Sequence, residues 1–347
     1  SSTGVVTINA IPDYEAKSSY SINVAASDGT LTSTKAVTVS VADVAPAITS
    51  STSVSVPEGT ATSTVVYTAS ATDPAGGTVT YSLTGADAGA FTINTSTGAV
   101  TFNASPDFET KSSYSFDVRA SDPSGAFNTQ AVVVSVSDVA PTISSSTSAS
   151  VAEGTSTSTV VYTASATDPA GGTVTYSLTG ADAGAFTIDT STGAVTFNAS
   201  PDFETKSSYS FNVKASDPSG AFNTQAVTVS VTDVAPTISS GAAGSVTEGA
   251  AAGTTVYTAA ASDVSGGTVN YSLSGADAGS FSINSSTGVV TINAIPDYET
   301  KPSYSIDVVA SDGTLSSTQA VTVSVADAAP AISSGAAGGV TEGAAAG

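Results

Sequence analysis

The 347 residues include no cysteine, histidine, methionine or tryptophan. Without a thiol or an imidazole there is no Cys nucleophile, no His-assisted triad, no Cys/His zinc centre and no His or Met axial haem ligand, so no enzyme is expected. Basic side chains are scarce as well: 7 Lys and Arg stand against 29 Asp and Glu, for a formal net charge of −22. That balance leaves no clustered cationic surface for a phosphate backbone and excludes a nucleic-acid partner. No apolar run approaches the roughly 18 residues of a membrane span, and the N-terminus carries no basic-then-apolar leader, so this segment is expected to make no membrane contact. Oxygen is what remains in quantity, as carboxylates, hydroxyls and carbonyls, and that donor set suits hard cations such as Ca²⁺.

The sequence repeats. Asp13-Tyr14-Glu15, Asp107-Phe108-Glu109, Asp202-Phe203-Glu204 and Asp297-Tyr298-Glu299 follow one another at 94, 95 and 95 residues. A Glu-Gly pair (Glu58, Glu153, Glu248) and an acid in a turn (Asp73, Asp168, Asp263) precede each complete copy. A second turn acid (Asp122, Asp217, Asp312) and an Asp-x-Ala-Pro segment (Asp138, Asp233, Asp327) follow it. Asp28 and Asp43 hold the corresponding places in an incomplete first copy, and Glu342 opens a further one. A period this long marks a tandem domain array. The boundaries expected are 1–46 for the C-terminal part of a cut repeat, 47–141, 142–236 and 237–330 for three complete repeats, and 331–347 for the first strand of another.

Within a repeat the pattern has period two and no helical period. In the second copy the strands expected are Val54–Val56, Val65–Ala71, Val79–Leu83, Phe91–Ile93, Val100–Phe102, Tyr114–Ala120 and Ala131–Val136, with Tyr, Phe and Val facing inward. Seven short alternating strands in about 95 residues predict an all-β, seven-stranded, immunoglobulin-like antiparallel sandwich. Strand parity then sorts the acids. Glu58, Asp107, Glu109 and Asp138 fall at one end of their repeat, whereas Asp73 and Asp122 fall at the other. Stacked end to end as a rod, neighbours bring Glu58, Asp107, Glu109 and Asp138 towards Asp168 and Asp217, and Glu153, Asp202, Glu204 and Asp233 towards Asp263 and Asp312. Asp13, Glu15 and Asp43 face Asp73 and Asp122 in the same way, and Glu248, Asp297, Glu299 and Asp327 form the corresponding end of the last complete repeat. Carboxylates 5 Å apart repel by roughly 3 kcal/mol per pair at an effective dielectric near 20. The recurring cations nearby are Lys17, Lys111, Lys206 and Lys301, so all of these acids are candidate ligands for junctional Ca²⁺.

The order of these motifs, Glu-Gly, Thr-Asp, Val-Thr-Tyr-Ser-Leu, Phe-x-Ile-Asn-x-x-Thr-Gly, Asp-Phe-Glu, Tyr-Ser-Phe-x-Val-x-Ala-Ser-Asp and Val-Ser-Asp-Val-Ala-Pro, resembles a cadherin repeat in the form found in bacterial adhesins. The resemblance implies a cadherin-like sandwich with Ca²⁺ bound between domains. It places Glu58 at the family's N-terminal Glu, Asp107 and Glu109 at the L-D-R-E acids, Asp138 at the first linker Asp, Asp168 at one acid of D-x-D, and Asp217 at the A-x-D acid. The linker lacks the family's N-D-N core and D-x-D keeps a single Asp, which implies one or two ions per junction rather than three.

The resulting expectation is an extracellular, non-enzymatic rod or filament of a bacterial surface, stiffened by calcium. Residues 50–144 and 145–239 differ at only 8 positions, as suits a chain selected for length and stiffness. A second expectation is an adhesin module that binds a glycan, a matrix or cell-surface ligand, or another copy of itself, with Phe127 and Phe222 as the candidate contacts. A glycosidase pair of Asp107 and Glu109 fits poorly, because the loop recurs in every copy. Residues 1–15 repeat 285–299 letter for letter. From this follow the expectations of a fifth-strand equivalent at Val5–Ile8, of a first strand at Gly339–Thr341, and of chains that either continue or join head to tail by strand addition.

Overall fold

The computed structural model describes residues 3–331 and Gly335; the expected strand at Gly339–Thr341 and Glu342 lie outside them. The chain is all-β. Residues 3–46 supply one hairpin, β1 (Ser19–Ser27) and β2 (Thr32–Ser40), paired antiparallel with Tyr20 opposite Val39 and Ile22 opposite Val37. Val5–Ile8 form no strand, contrary to expectation, and Val5, Val6 and Ile8 are exposed. The two strands that flank this position in a complete repeat have no counterpart in 3–46, so its backbone has nothing to pair with.

The first complete repeat contains β3 (Ala47–Ile48), β4 (Ser53–Pro57), β5 (Val65–Thr68), β6 (Ala71–Thr72), β7 (Thr80–Thr84), β8 (Phe91–Ile93), β9 (Ala99–Phe102), β10 (Ser113–Ser121) and β11 (Phe127–Ser137). One sheet runs β4-β11-β10-β7, the other β5-β9-β8, and β3 pairs with β6. The next two repeats copy these orders strand for strand. Alternation builds the core between the sheets: Phe116, Val118 and Ala120 of β10 and Val132, Val134 and Val136 of β11 turn inward and are buried, while Asp117, Arg119, Val133 and Ser135 between them lie on the outer face. Phe91, Phe102, Tyr114 and Phe116 meet edge-on or tilted at centroid distances of 4.4–5.6 Å.

One feature departs from the purely antiparallel expectation. The first strand is split: β3 lies antiparallel to β6, whereas β4 crosses to the other sheet and runs parallel to β11, Val56 opposite Val136. Tyr67 holds the crossing, its hydroxyl donating to the Ser51 carbonyl at 2.8 Å and lying 2.7 Å from Ser50 Oγ, with Gln130 Nε2 donating to the Ser50 carbonyl at 2.9 Å. The connection 85–89 runs into a 3₁₀ turn, Ala88–Ala90, before β8. Gly98 shows why the Thr-Gly of each repeat is fixed: its φ is +72°, and a Cβ there would lie 2.3 Å from the Ala69 carbonyl oxygen.

Each complete repeat has its own buried cluster, so each is expected to melt as its own unit. Phe211, 2% exposed, packs on Tyr162 and Phe186. Phe211→Ala should cost about 3–5 kcal/mol, seen in calorimetry as one transition moving to lower temperature while those of the other repeats stay in place.

Candidate metal centres at the repeat junctions

The parallel β4–β11 pair puts the Glu-Gly corner and the linker Asp at the same end. Glu58 N donates to the Ser137 carbonyl, one residue before Asp138. The Glu58 side chain, 3% exposed, then spans the loops of that end: Oε2 accepts from Phe108 N at 3.1 Å and Oε1 from Val139 N at 2.8 Å. Glu153 and Glu248 do the same with Phe203 and Val234, and with Tyr298 and Ala328. One buried carboxylate thus fixes both the Asp-Phe-Glu loop and the linker, a job the pattern of acids did not reveal. From the other side, Asn223 Nδ2 donates to the Pro141 carbonyl at 2.9 Å. The linker Asp138–Pro141 is therefore held at one end by the repeat behind it and at the other by the repeat ahead. Contact is close across the junction as well, since a Cβ on Gly59 would stand 2.8 Å from the Pro169 carbonyl oxygen.

Carboxylates from adjacent repeats converge there. Glu58, Glu109 and Asp168 each offer an oxygen within 4.8 Å of the others, and so do Glu109, Asp138 and Asp217. The junction before it joins Glu15, Asp43 and Asp122; the junction after it joins Glu153, Asp202 and Glu204, and also Glu204, Asp233 and Asp312. Many of these oxygens are buried without a hydrogen-bond partner: both of Glu109, Oε1 of Glu15, Oδ1 of Asp138 and Asp233, and Oδ2 of Asp122, Asp168, Asp217, Asp263 and Asp312. Unpartnered buried charge of one sign is costly unless a cation completes it. The recurrent lysines do not: Lys111 and Lys206 pair at 2.5 Å with Asp87 and Asp182, and Lys301 pairs with Asp277. An all-oxygen set of this kind fits a hard divalent cation in its chemistry.

Not every candidate acid points into a cluster. Asp107 is tied to its own turn, Oδ1 accepting from Thr110 N at 3.0 Å and Oδ2 from Thr110 Oγ1 at 2.7 Å. Asp297 holds Thr300 in the same way, and Asp202 holds Thr205 while also offering an oxygen to the cluster with Glu153 and Glu204. Asp13 accepts from Ala16 N, and Asp73 Oδ1 from Ala75 N and Gly77 N. Asp168 and Asp263 spend Oδ1 on the same kind of turn and leave Oδ2 unpartnered. Glu299 and Asp327 sit beside Glu248, Glu299 in the Asp297 loop and Asp327 one residue before Ala328.

Three segments, 52–137, 147–232 and 242–326, match the cadherin domain family. Human protocadherin Fat 1 is 32% identical over 343 residues, covering 91% of this chain and 8% of that protein. The Drosophila protocadherin-like wing polarity protein stan is 33% identical over 256 residues, covering 66% of this chain and 7% of that protein. The chain thus spans less than a tenth of the length of these relatives, both of which are animal proteins. Among solved structures, mouse cadherin-23 EC22-24 is 28% identical with a TM-score of 0.33, covering 82% of this chain and 100% of that one.

The clusters predict a pH dependence. Burial, with the Glu58 and Asp138 carboxylates beside it, pushes the Glu109 carboxyl up to about 7 from 4.5. Burial likewise raises Glu204, next to Glu153 and Asp233, and Asp233, next to Asp312. A carboxyl whose folded pKa exceeds its unfolded value contributes stability that is whole below the unfolded pKa and is lost as pH rises through the folded one. In chelator, the melting temperature should therefore fall between pH 4.5 and 7, the window set by Glu109. Asp28, held down to about 2 by the Leu31 and Thr30 amides, titrates below that window. A melting temperature that rises from pH 4.5 to 7 in chelator would contradict the assignment.

Proposed function

The chain belongs to the cadherin family, and from that membership we propose that it is a non-enzymatic, extracellular structural and adhesive repeat protein whose junctions are stiffened by Ca²⁺. The observation that carries this reading is the convergence, from two successive repeats, of buried carboxylate oxygens that no protein donor satisfies. In this reading Glu109, Asp138 and Asp217 hold one ion, and Glu58 and Asp168 join Glu109 around a second position. Glu15, Asp43 and Asp122 hold the ion of the preceding junction, and Glu204, Asp233 and Asp312 that of the following one. The ion supplies the missing counter-charge and cross-links two otherwise separate sandwiches. Asp107, Asp202 and Asp297 shape the loop that carries the ligating Glu. Near-identity of neighbouring repeats supports a rod or filament built by repetition, with another copy as partner, and the absence of cysteine is compatible with the surface of a bacterial cell. Among the described residues no helix is long and apolar enough to cross a membrane.

One observation favours ligand binding as a second reading. Phe127 and Phe222 are about half exposed, each under a cation, Arg119 at 3.8 Å and Lys214 at 3.9 Å from the ring centroid. Val309 and Ser316 replace this pair in the last complete repeat. A ring kept in water in only two repeats suits contact with a glycan or another protein better than it suits packing. Retained glycan or self-binding by a Phe127→Ala, Phe222→Ala double variant would dismiss this second reading.

For the principal reading, millimolar Ca²⁺ should raise the melting temperature over that in EGTA and lengthen the particle in small-angle scattering. At a hundred times Kd each ion adds about 2.7 kcal/mol. Glu204 belongs to both clusters of its junction, so Glu204→Ala should remove the effect there and leave the other junctions responsive. Identical melts and scattering curves in EGTA and Ca²⁺ would refute the reading.

A further inference from the structure

The turn that follows β10, and its equivalent after Ser208–Ser216 in the next repeat, contains a serine that acidic motifs give no reason to notice. Ser219 Oγ donates across the junction to Asp138 Oδ2, and lies 2.8 Å from Oδ1 of Asp217 in its own repeat. Ser124 repeats this one junction earlier, 2.5 Å from Asp43 Oδ2 and 2.8 Å from Asp122 Oδ1. Gly220 N and Ala221 N also donate to Asp217 Oδ1, at 2.9 and 3.0 Å. The result is a sorting of oxygens. Asp138 Oδ2 and Asp217 Oδ1 are occupied, whereas Asp138 Oδ1 and Asp217 Oδ2 are buried and unpartnered beside both unpartnered oxygens of Glu109. Asp217 is itself only 4% exposed, so the free oxygen has no route to bulk water.

We propose that Ser124 and Ser219 are positioning residues for the junctional cation: each bridges the linker Asp of one repeat to the turn Asp of the next and thereby turns one defined oxygen of each towards the ion. This inference rests on the Ca²⁺ reading above and adds a residue class to it. The hydroxyl has a single proton for two carboxylates, so it holds the pair in place without neutralising it and leaves the charge for a cation. At the third junction a threonine, Thr314, holds the corresponding place, and its hydroxyl likewise reaches the linker Asp233 and the turn Asp312. There Thr314 Oγ1 lies at the longer distances of 3.2 and 3.3 Å from Glu204 Oε1 and Asp312 Oδ1.

The test is calorimetric titration of the full chain with CaCl₂, comparing wild type, Ser124→Ala/Ser219→Ala and Ser124→Thr/Ser219→Thr, with melts of all three in EGTA. Hydrogen bonds to charged groups are strong enough that the alanine pair should raise Kd about tenfold at two junctions. The third junction should be unchanged and serves as an internal control. The threonine pair should bind as wild type, and all three proteins should melt together in EGTA. An alanine isotherm that superimposes on wild type overturns the proposal, and so does weakened binding matched by a lower melting temperature in EGTA and not rescued by threonine. A wild-type chain that takes up no Ca²⁺ overturns the underlying reading, and with it this one, before any variant is compared.

Discussion

Buried negative charge without counter-charge is the constraint on which this architecture turns. At separations near 5 Å each carboxylate pair costs roughly 3 kcal/mol at an effective dielectric near 20, and Glu109 takes part in two triads at once. Lysines are available at the same end of each repeat, yet they are drawn off by Asp87, Asp182 and Asp277. Left alone, such a junction favours protonation or separation of the repeats; with a divalent cation the same charges become its strongest contact. Each complete repeat buries its own core, whereas the carboxylates at its ends keep buried oxygens without a partner.

The sandwich exists to present those ends accurately. Parallel pairing of β4 with β11 brings Glu58 beside Asp138, and the Glu58 carboxylate then gathers the Asp-Phe-Glu loop and the linker with two backbone hydrogen bonds. Asn223 fastens the far end of the linker to the next repeat. Asp107 is spent on Thr110 to shape the loop from which Glu109 points. The residues that set the geometry are thus largely distinct from those whose oxygens remain free.

Much of this was legible in the sequence, for a definite reason. Period-two alternation determines which face of a strand is buried, and strand count then determines which end each loop occupies, so parity alone separated Glu58, Glu109 and Asp138 from Asp122. The parts that escaped depend on partners rather than on patterns. The crossing of the first strand between sheets is decided by Tyr67 and Gln130 reaching Ser50 from distant strands. Asp107 and Glu109 look equivalent in a motif, but a threonine three residues on satisfies the first and nothing satisfies the second. Ser124 and Ser219 carried no signal because serine is common throughout the chain, and only the apposition of two repeats brings them onto a carboxylate of the neighbouring repeat. Val5–Ile8 shows the converse: a strand-like pattern stays unpaired where neighbouring strands are lacking.

Counting ions tests the central claim most directly. Equilibrium dialysis of the chain against radioactive calcium at physiological ionic strength should give saturable binding of at least three ions per molecule. That count corresponds to the Glu15–Asp43–Asp122, Glu109–Asp138–Asp217 and Glu204–Asp233–Asp312 clusters. Uptake that never saturates, or that disappears in moderate salt as diffuse screening by a polyanion would, would contradict it.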